Sequence, residues 1–330
     1  MSVLFSVVVP TLGRPGTLPD LLRTLQAQSF PRERFEIVLV FDGLSPTPEI
    51  LALAAQAGAR IVPLARRSGP GAARNAGASV ATGEWLAFTE DDVTPSPDWL
   101  EQAAARIARE PVPDAIEGVT RRPGDRALRI RPDAGLQYLP TTLFVRRVWF
   151  ERVGGYEQAF YEPSRGIYFR EDADFGFKLE EANALTVREE RVVVTHPDEH
   201  PGPWDPVRWA VRYEMDPLLA RRHPRLFRTR IEVHRVGRFR VRRPIVRACV
   251  GVVLCVALSA AMALAARPGM ARLALAAALL LFLPVWAKWR FSLLHLPAAL
   301  VVPFALTLAL LRGRGRTAAQ RRAEADTLAP

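Results

Sequence analysis

The chain has 330 residues, of which 49% are hydrophobic, and its formal net charge is +11. This length suits one domain of common size with an appendage. The arginines that supply the charge crowd two regions, 221–247 and 312–322, on either side of the most apolar segments. Because basic residues flanking apolar segments are typical of membrane proteins, this distribution argues against a nucleic-acid-binding protein.

The two cysteines, Cys249 and Cys255, lie in one apolar segment. Their spacing on a helix keeps the thiols apart, so neither a disulfide nor a zinc site is expected. The first residues lead directly into an apolar, strand-like run without the basic and small-residue features of a signal peptide. We therefore expect the N-terminal domain to stay in the cytoplasm.

Short apolar runs alternate with helical patterns through the first hundred or so residues. Strands are predicted at 7–9, 36–41, 60–64 and 85–88, and helices at 18–25, 48–57, 69–83 and 96–104. Thr17 is the expected N-cap of the first helix. This alternation predicts βαβ units and an α/β fold with a parallel sheet. The chain lacks both the glycine fingerprint of dinucleotide-binding folds and a P-loop sequence.

The strand predicted at 85–88 is followed by three carboxylates, Glu90, Asp91 and Asp92. Clustered carboxylates repel one another and are stabilised by a bound cation. In open α/β sheets, ligands bind beyond the carboxyl ends of the strands. The position favours a divalent metal that holds a phosphorylated ligand, and a solvated acidic turn is the alternative.

After residue 111 the periodicity weakens, and strands are predicted only at 143–145 and 192–195. A helix is expected to begin near residue 171. Asp172 and Asp174 fall in its first turn, where backbone amides favour negative charge, so a capping role is the alternative to a chemical one. His196 follows the last predicted strand, where an ordinary hydrogen bond is the alternative to a metal bond.

A set of short motifs, in this order and spacing, resembles the family 2 glycosyltransferases from about residue 4 to about residue 200. The motifs are Val8-Val9-Pro10-Thr11, Phe41-Asp42-Gly43, the runs 71–77 and 83–88, Glu90-Asp91-Asp92 and Glu171-Asp172. The resemblance implies the GT-A fold, a Rossmann-like α/β arrangement in which helices flank a mixed, mostly parallel sheet. It also implies an inverting, metal-dependent enzyme that uses nucleotide sugars.

The same resemblance implies roles for individual residues. The expected nucleotide-binding positions are Pro10, Thr11, Asp42, Arg74, Glu90 and Asp91. Asp92 and His196 are the expected ligands of Mg²⁺ or Mn²⁺, with His200 as an alternative histidine, and Asp172 is the expected general base. The metal neutralises charge on the leaving diphosphate, while the base takes the proton of the acceptor hydroxyl. Single displacement needs only one base, which predicts inversion.

Residues 204–244 form a basic, aromatic stretch that is expected to lie on an anionic membrane surface, to line the acceptor site, or to pack as a helix with a basic face. Three apolar segments follow, at about 245–266, 269–287 and 293–311. Each approaches the roughly 20 residues needed to cross a bilayer. Flanking arginines predict an even number of crossings, and the third segment, which contains two prolines, is the weakest span. The tail after Arg312 is predicted to be disordered.

The sequence thus predicts four parts: a GT-A domain over 1–203, a juxtamembrane segment over 204–244, membrane-embedded helices over 245–311 and a basic tail over 312–330. The expected site of action is the cell membrane, with the catalytic domain in the cytoplasm. The expected donor is a nucleoside-diphosphate sugar, and the expected acceptor is a lipid-linked or envelope glycan. A polyprenyl-phosphate glycosyltransferase is the close alternative. A nucleotidyltransferase and a non-catalytic scaffold of the same fold are alternatives from other classes.

Overall fold

The computed structural model describes residues 2–14, 16–124, 126–127, 136–198, 201–236 and 239–328. The chain divides into two compact units, Met1–Glu199 and His200–Pro330. The first unit is a mixed sheet with helices packed against it, and the second is mainly helical.

The first unit is built on a nine-stranded sheet and a separate two-stranded ribbon. The strands are β1 (Phe5–Thr11), β2 (Phe35–Asp42), β3 (Ala59–Leu64), β4 (Trp85–Phe88), β5 (Thr94–Pro95), β6 (Ala115–Arg122), β7 (Arg126–Ala127), β8 (Leu143–Arg146), β9 (Tyr161–Glu162), β10 (Ile167–Tyr168) and β11 (Thr186–Thr195). Their order in the sheet is β3-β2-β1-β4-β8-β6-β11-β5, with β7 paired to β6, and β9 and β10 form the ribbon.

Among its described residues, this unit has six helices: α1 (Leu18–Gln26), α2 (Pro48–Gln56), α3 (Pro70–Val80), α4 (Trp99–Ile107), α5 (Arg147–Arg152) and α6 (Glu171–Glu181). Single 3₁₀ turns occupy Arg32–Arg34 and Gln158–Phe160. The leucines of α1 recur on one helix face, and that face is buried against the sheet, as the periodicity predicts.

Strand direction places the carboxyl ends of several strands at one edge of the sheet. β1 pairs in parallel with β2 and β4, and β2 pairs in parallel with β3. β8 runs antiparallel to both β4 and β6, and β11 runs parallel to β6. Consequently β4, β6 and β11 point the same way, and the segments that follow β1, β2, β4 and β11 meet at one edge. The expected mixed α/β sheet is confirmed.

The central strands are buried on both faces because their side chains alternate between two apolar clusters. Val7 and Val9 pack into the cluster that holds α1 and Trp99, while Val8 packs into the cluster that holds Phe88 and Phe175. This double burial explains why the strands read as continuous apolar runs.

Some details differ from the sequence-based expectation. Thr17 occupies the predicted N-cap position of α1, but its hydroxyl makes no capping hydrogen bond to the helix. Helix α3 ends at Val80, before Gly83, because the chain passes against β1 there: a Cβ on Gly83 would lie 2.6 Å from the Ser6 nitrogen. Strand β6 was not predicted, since its apolar pattern is broken by the buried Glu117, whose carboxylate accepts the backbone N–H of Gln137 and of Tyr138.

The part of the second unit that the structure describes has six helices and a hairpin: α7 (Asp205–Val211), α8 (Asp216–Arg222), α9 (Pro224–Leu226), the hairpin of β12 (Val233–Val236) and β13 (Phe239–Arg242), α10 (Pro244–Leu264), α11 (Pro268–Ala287) and α12 (Leu296–Leu328). A 3₁₀ turn, Arg212–Met215, joins α7 to α8, and a π-helical turn, Phe227–Glu232, precedes the hairpin.

Three of these helices are long and apolar enough to span a membrane, which indicates membrane association: Pro244–Leu264, Pro268–Ala287 and Leu296–Ala319. Both cysteines lie on α10 as free thiols. The prediction of a disordered tail after Arg312 is wrong, because α12 continues to Leu328. The tail is rich in alanine and arginine, which are strong helix formers.

Candidate active site

The carboxylate of Asp42, at the end of β2, holds the loop that leads into α3. Its two oxygens accept the backbone N–H of Ser68 at 2.6 Å and of Gly69 at 2.9 Å. Gly43 follows with φ +72°, and a Cβ there would lie 2.2 Å from the Arg67 nitrogen. Only glycine allows so close a backbone approach in this conformation. Asp42 therefore shapes this edge of the sheet, and its predicted contact to a nucleoside stays a prediction.

The end of β1 is tied to the acidic loop after β4 by Thr11. Its hydroxyl donates to Asp91 Oδ2 at 2.6 Å and accepts the backbone N–H of Gly13 at 2.8 Å. Asp91 is buried, and this burial raises the pKa of its carboxyl. Pro10 lies in β1 opposite Val40 of β2. Thr11 thus links the end of β1 to the loop that follows β4, and these two strands are parallel neighbours in the sheet.

Glu90, Asp92 and His196 form a group of potential metal ligands. One ligand atom from each of the three lies within 4.8 Å of the others. His196 Nε2 is 3.9 Å from Asp92 Oδ1, and His196 Nδ1 lies 2.8 Å from the Pro197 carbonyl oxygen. The group combines two carboxylates with an imidazole nitrogen, a donor set that suits a divalent cation.

The pairing of β11 with β5 explains how His196 reaches this group. Thr195 of β11 pairs antiparallel with Thr94 of β5, which begins two residues after Asp92. The backbone N–H of His196 also donates to the carbonyl of Arg121 at the end of β6. A two-residue strand therefore brings the histidine beside the acidic loop.

Arg14, in the loop after β1, faces the same carboxylates. Its Nη1 is 2.5 Å from Asp92 Oδ2 and 3.6 Å from Asp91 Oδ1. The Arg14 side chain is 51% exposed, so the pair is partly screened by solvent. Arg14 and a bound cation would therefore share the carboxylate of Asp92.

Arg74, on α3, is a buried cation between acidic groups of different elements. Its Nη2 lies 3.3 Å from Glu90 Oε1, and its Nη1 lies 4.0 Å from Glu171 Oε1. Its guanidinium is 5.3 Å from the ring centre of Tyr156. The Nε and Nη1 atoms have no hydrogen-bond partner among the described atoms. A buried guanidinium with unmet donors suits an anionic ligand beside Glu90.

Asp172 and Glu171 begin α6 on the other side of Arg74. Burial is the main reason that the pKa values of both carboxyls are raised, that of Glu171 to about 7. The positive charge of Arg74 opposes the shift at both residues. The Asp172 Oδ1 atom accepts the backbone N–H of Ala173 at 2.7 Å. A carboxylate with a raised pKa is a better proton acceptor than an ordinary surface aspartate.

The structure thus gathers most of the predicted residues around one edge of the sheet. Arg74 is in direct contact with Glu90, Asp91 with Thr11, and Asp92 with His196. Asp42 and Pro10 lie at or near the ends of β2 and β1. His200 lies outside the described residues.

Two functional candidates, Arg14 and Glu171, were not assigned site roles from the sequence. Arg14 carried a weak signal, because it is a basic residue in the loop after the first strand. Glu171 directly precedes Asp172, and only its contact with the buried Arg74 distinguishes it from an ordinary first-turn acid. Asn75 was also missed: it exchanges two 2.8 Å hydrogen bonds with the backbone of Tyr156 and so holds that ring beside Arg74.

Comparison with known proteins gives a consistent family. The model described as "Glycosyl transferase family 2" matches residues 6–173, which is half of the chain. The succinoglycan biosynthesis protein ExoO of Rhizobium meliloti is 31% identical over 144 residues, covering 43% of this chain and 37% of that protein. The pre-mycofactocin glycosyltransferase of Mycobacterium tuberculosis is 26% identical over 211 residues, covering 58% of this chain and 42% of that protein. The chain therefore spans less than half the length of these relatives.

Solved structures share the fold. Residues 1–349 of Staphylococcus aureus TarS, crystallised with UDP, give a TM-score of 0.53 at 19% identity, covering 97% of this chain and 92% of that one. A mannosyltransferase of Pyrobaculum calidifontis, in complex with GDP-Man and Mn²⁺, gives 0.52 at 17% identity, covering 96% and 87%. The family match, the glycosyltransferase relatives and this shared fold lead to one conclusion: the chain belongs to the family 2 glycosyltransferases.

Proposed function

We propose that this glycosyltransferase uses a divalent cation to transfer a sugar, with inversion, from a nucleoside-diphosphate donor to an acceptor at the membrane. The observation that carries the proposal is the convergence of Glu90, Asp92 and His196 within 4.8 Å at the carboxyl edge of the sheet. Ligands of open α/β sheets bind at this edge.

The residues fit a cation such as Mg²⁺ or Mn²⁺. Asp92 and His196 would hold it, with Glu90 as a third ligand or a contact to the donor ribose. When bound, the cation neutralises negative charge on the diphosphate leaving group. The Pyrobaculum calidifontis neighbour, which was crystallised with GDP-Man and Mn²⁺, supports this choice of ion.

The protein groups around the cation would orient the donor. The buried guanidinium of Arg74 offers unmet N–H donors beside Glu90, which suits a phosphate oxygen. Pro10, Thr11 and Asp42 would line the nucleoside side of the edge, with Asp91 held in place by Thr11. These groups are held by the sheet, by α3 and by the loop after β4, and they need little reorganisation when the donor binds.

Asp172 would act as the general base. Its carboxylate would take the proton of the acceptor hydroxyl as the oxygen attacks the anomeric carbon and the bond to the diphosphate breaks. Burial raises the pKa of Asp172, which strengthens it as a base, while the Ala173 backbone N–H and the charges of Arg170 and Arg74 stabilise its ionised form. One displacement with one base inverts the anomeric configuration.

The acceptor would be a lipid-linked or envelope glycan, since the chain carries helices suited to a membrane. Relatives named for succinoglycan biosynthesis and for glycosylation of poly(ribitol phosphate) support a polymer of the cell envelope. We place the GT-A domain, 1–203, in the cytoplasm at the inner membrane, where nucleotide sugars are available. A polyprenyl phosphate is the second acceptor class to test.

Binding of a nucleoside-diphosphate panel to the detergent-solubilised chain tests the proposal. Thermal unfolding would be followed with Mn²⁺ and with EDTA, for the wild type, for Asp92→Asn and for Asp98→Asn as a matched control. We expect one diphosphate to raise the melting temperature only with Mn²⁺, in the wild type and the control but not in Asp92→Asn. Equal stabilisation in EDTA would overturn the metal-dependent mechanism. The anomeric configuration of the product, followed by NMR, tests inversion separately.

A further inference from the structure

We infer that α10 and α11 cross the membrane as a hairpin, whereas α12 lies along the membrane surface and presents an apolar face to lipid. By length and hydropathy, all three helices are suited to span a membrane. Their contacts within the second unit differ, however, and from these contacts we infer two crossings.

Helix α12 runs beside residues 201–222, which we call the α7–α8 segment, along nearly its whole apolar length. Near the start of α12, His295 Nε2 lies 3.3 Å from the Pro201 carbonyl oxygen. Further along α12, a Cβ on Gly313 would lie 2.1 Å from the Glu214 carbonyl oxygen, and Arg221 donates to the Thr317 carbonyl at 3.3 Å. The residue numbers of these contacts increase together along both segments, so the two segments lie side by side and run in the same direction.

The α7–α8 segment is unsuited to the bilayer interior. Its acidic and basic residues are Asp205, Arg208, Arg212, Glu214, Asp216, Arg221 and Arg222. The Arg208 side chain is 78% exposed. Charged groups are among the most costly to place at the centre of a bilayer. If α12 crossed the bilayer, this charged segment would have to cross beside it, so α12 does not cross.

Both ends of the α10–α11 hairpin contact the α7–α8 segment. Arg243, immediately before α10, forms an ion pair with the buried Asp216 of α8. Lys288, immediately after α11, places its ammonium 3.3 Å from the ring centre of Trp209 in α7. Between these ends the two helices pack against each other, with the Ser259 hydroxyl donating to the Ala271 carbonyl at 2.9 Å. At about 1.5 Å per residue, each helix is long enough for the roughly 30 Å hydrocarbon core.

A helix that lies on the membrane surface needs one face covered by protein and an apolar face free to contact lipid, and α12 has both. One face is buried against protein and consists of Ala298, Ala299, Val302, Leu306, Ala309 and Gly313. The opposite face is exposed and consists of Leu300, Val301, Phe304, Leu308 and Leu311. Protein covers 39% of the apolar window of α12, against 17% for each of the other two helices.

An anionic lipid surface is the occupant that fits this exposed apolar face. The helix adjoins the α10–α11 hairpin through its buried face, because Val302 and Leu306 share one apolar cluster with Val252 of α10 and Phe282 of α11. The exposed Arg312 and Arg314 follow the exposed apolar face, where their charges would meet lipid headgroups. An apolar stripe bordered by arginines is typical of helices that lie in the membrane interface.

Cysteine accessibility in native membranes tests the topology. In a background carrying Cys249→Ala and Cys255→Ala, single cysteines would be introduced by Gly269→Cys, Ser292→Cys and Gly315→Cys, and labelled with a membrane-impermeant maleimide before and after permeabilisation. Gly269 and Gly315 are matched sites, because a Cβ at either meets no atom within 4 Å. We expect positions 292 and 315 to react on one side of the membrane and position 269 only on the other. Labelling of 315 together with 269 would overturn the inference, as would labelling of all three on one side.

Depth measurements give a second readout in liposomes of phosphatidylethanolamine and phosphatidylglycerol. Spin labels at Leu300→Cys, Phe304→Cys and Leu311→Cys should report one shallow depth, whereas labels at Leu275→Cys, Leu279→Cys and Leu283→Cys on α11 should report a changing depth. A depth that rises and falls along α12 would show a third crossing. Neither experiment depends on catalysis, so failure of the proposed reaction leaves this test intact.

Discussion

Thr11 and Asp91, which are 80 residues apart in the chain, share a buried hydrogen bond of 2.6 Å. The bond joins the end of β1 to the acidic loop after β4, and the two strands are parallel neighbours in the sheet. Because Asp91 stands between Glu90 and Asp92, fixing its carboxylate also fixes the backbone that carries those two side chains. The candidate metal group therefore depends on a hydroxyl from a different strand.

Replacing Thr11 tests this dependence. Thr11→Val removes the donor and leaves the buried carboxylate of Asp91 without that partner, which should cost about 1–3 kcal/mol of stability. It should also weaken Mn²⁺ binding, measured by electron paramagnetic resonance. Thr11→Ser keeps the hydroxyl and serves as the control, with stability and metal binding near the wild type. Equal behaviour of the two variants would mean that the hydroxyl does not hold the loop.

Asp172→Asn should lower the transfer rate by at least about 10²–10⁴-fold, since asparagine cannot accept the acceptor proton. Donor binding should change little, because the predicted metal ligands and nucleoside contacts are on other elements. Turnover assays with radiolabelled donor and calorimetric binding of the diphosphate measure the two effects. Glu181→Gln, an exposed change at the far end of α6, is the control. A variant that retains wild-type turnover would remove Asp172 from the role of base.

Arg14→Gln should tighten Mn²⁺ binding in the absence of donor. Arg14 occupies Asp92 Oδ2 at 2.5 Å and adds a positive charge beside the metal group. A unit charge at about 4 Å costs about 1 kcal/mol even at the dielectric constant of water, so a several-fold gain in affinity is expected. Arg23→Gln removes an exposed arginine that pairs with Asp20, and it should leave the affinity unchanged. Weaker Mn²⁺ binding by Arg14→Gln would show that the arginine supports the metal site instead.

Glu171→Gln should alter the pH dependence of stability. Burial, with the charge of Asp172, raises the pKa of Glu171 from its ordinary 4.5 to about 7. Between these values the folded chain keeps a proton that the unfolded chain has released, so stability falls as pH rises from about 4.5 through 7. Glutamine has no proton to lose. The variant should therefore melt a few degrees higher than the wild type at pH 8, with a smaller difference at pH 5.

These melts would be recorded in EDTA without nucleotide, so that ligand binding does not contribute. Glu181→Gln is again the matched exposed control, and it should melt like the wild type at both pH values. A Glu171→Gln variant that melts lower than the wild type at pH 8 would mean that the contact of Glu171 with Arg74 outweighs the cost of burying its charge.

The sequence by itself determined the fold class and most of the residues at the site. Continuous apolar strands such as Val7–Val9 can be buried only when both faces of the sheet are covered, and that requirement predicts alternating strands and helices. The acids at 90–92 directly follow such a strand, so the sequence alone predicts that they lie at its carboxyl end. By contrast, β6 escaped detection, because its buried Glu117 is satisfied by amides some 20 residues further along the chain.

Only the tertiary structure decided which of these residues meet. His196 reaches Asp92 through the two-residue strand β5, and Arg74 joins Glu90 to Glu171 across three elements. Such contacts depend on strand order and direction, which local sequence patterns do not encode. The apolar helices give a second example. By hydropathy alone α12 could span the membrane, and we infer its position on the membrane surface from its contacts with a charged neighbouring segment. The periodicity of a sequence shows which face of a segment is apolar, whereas the fold determines which element covers that face.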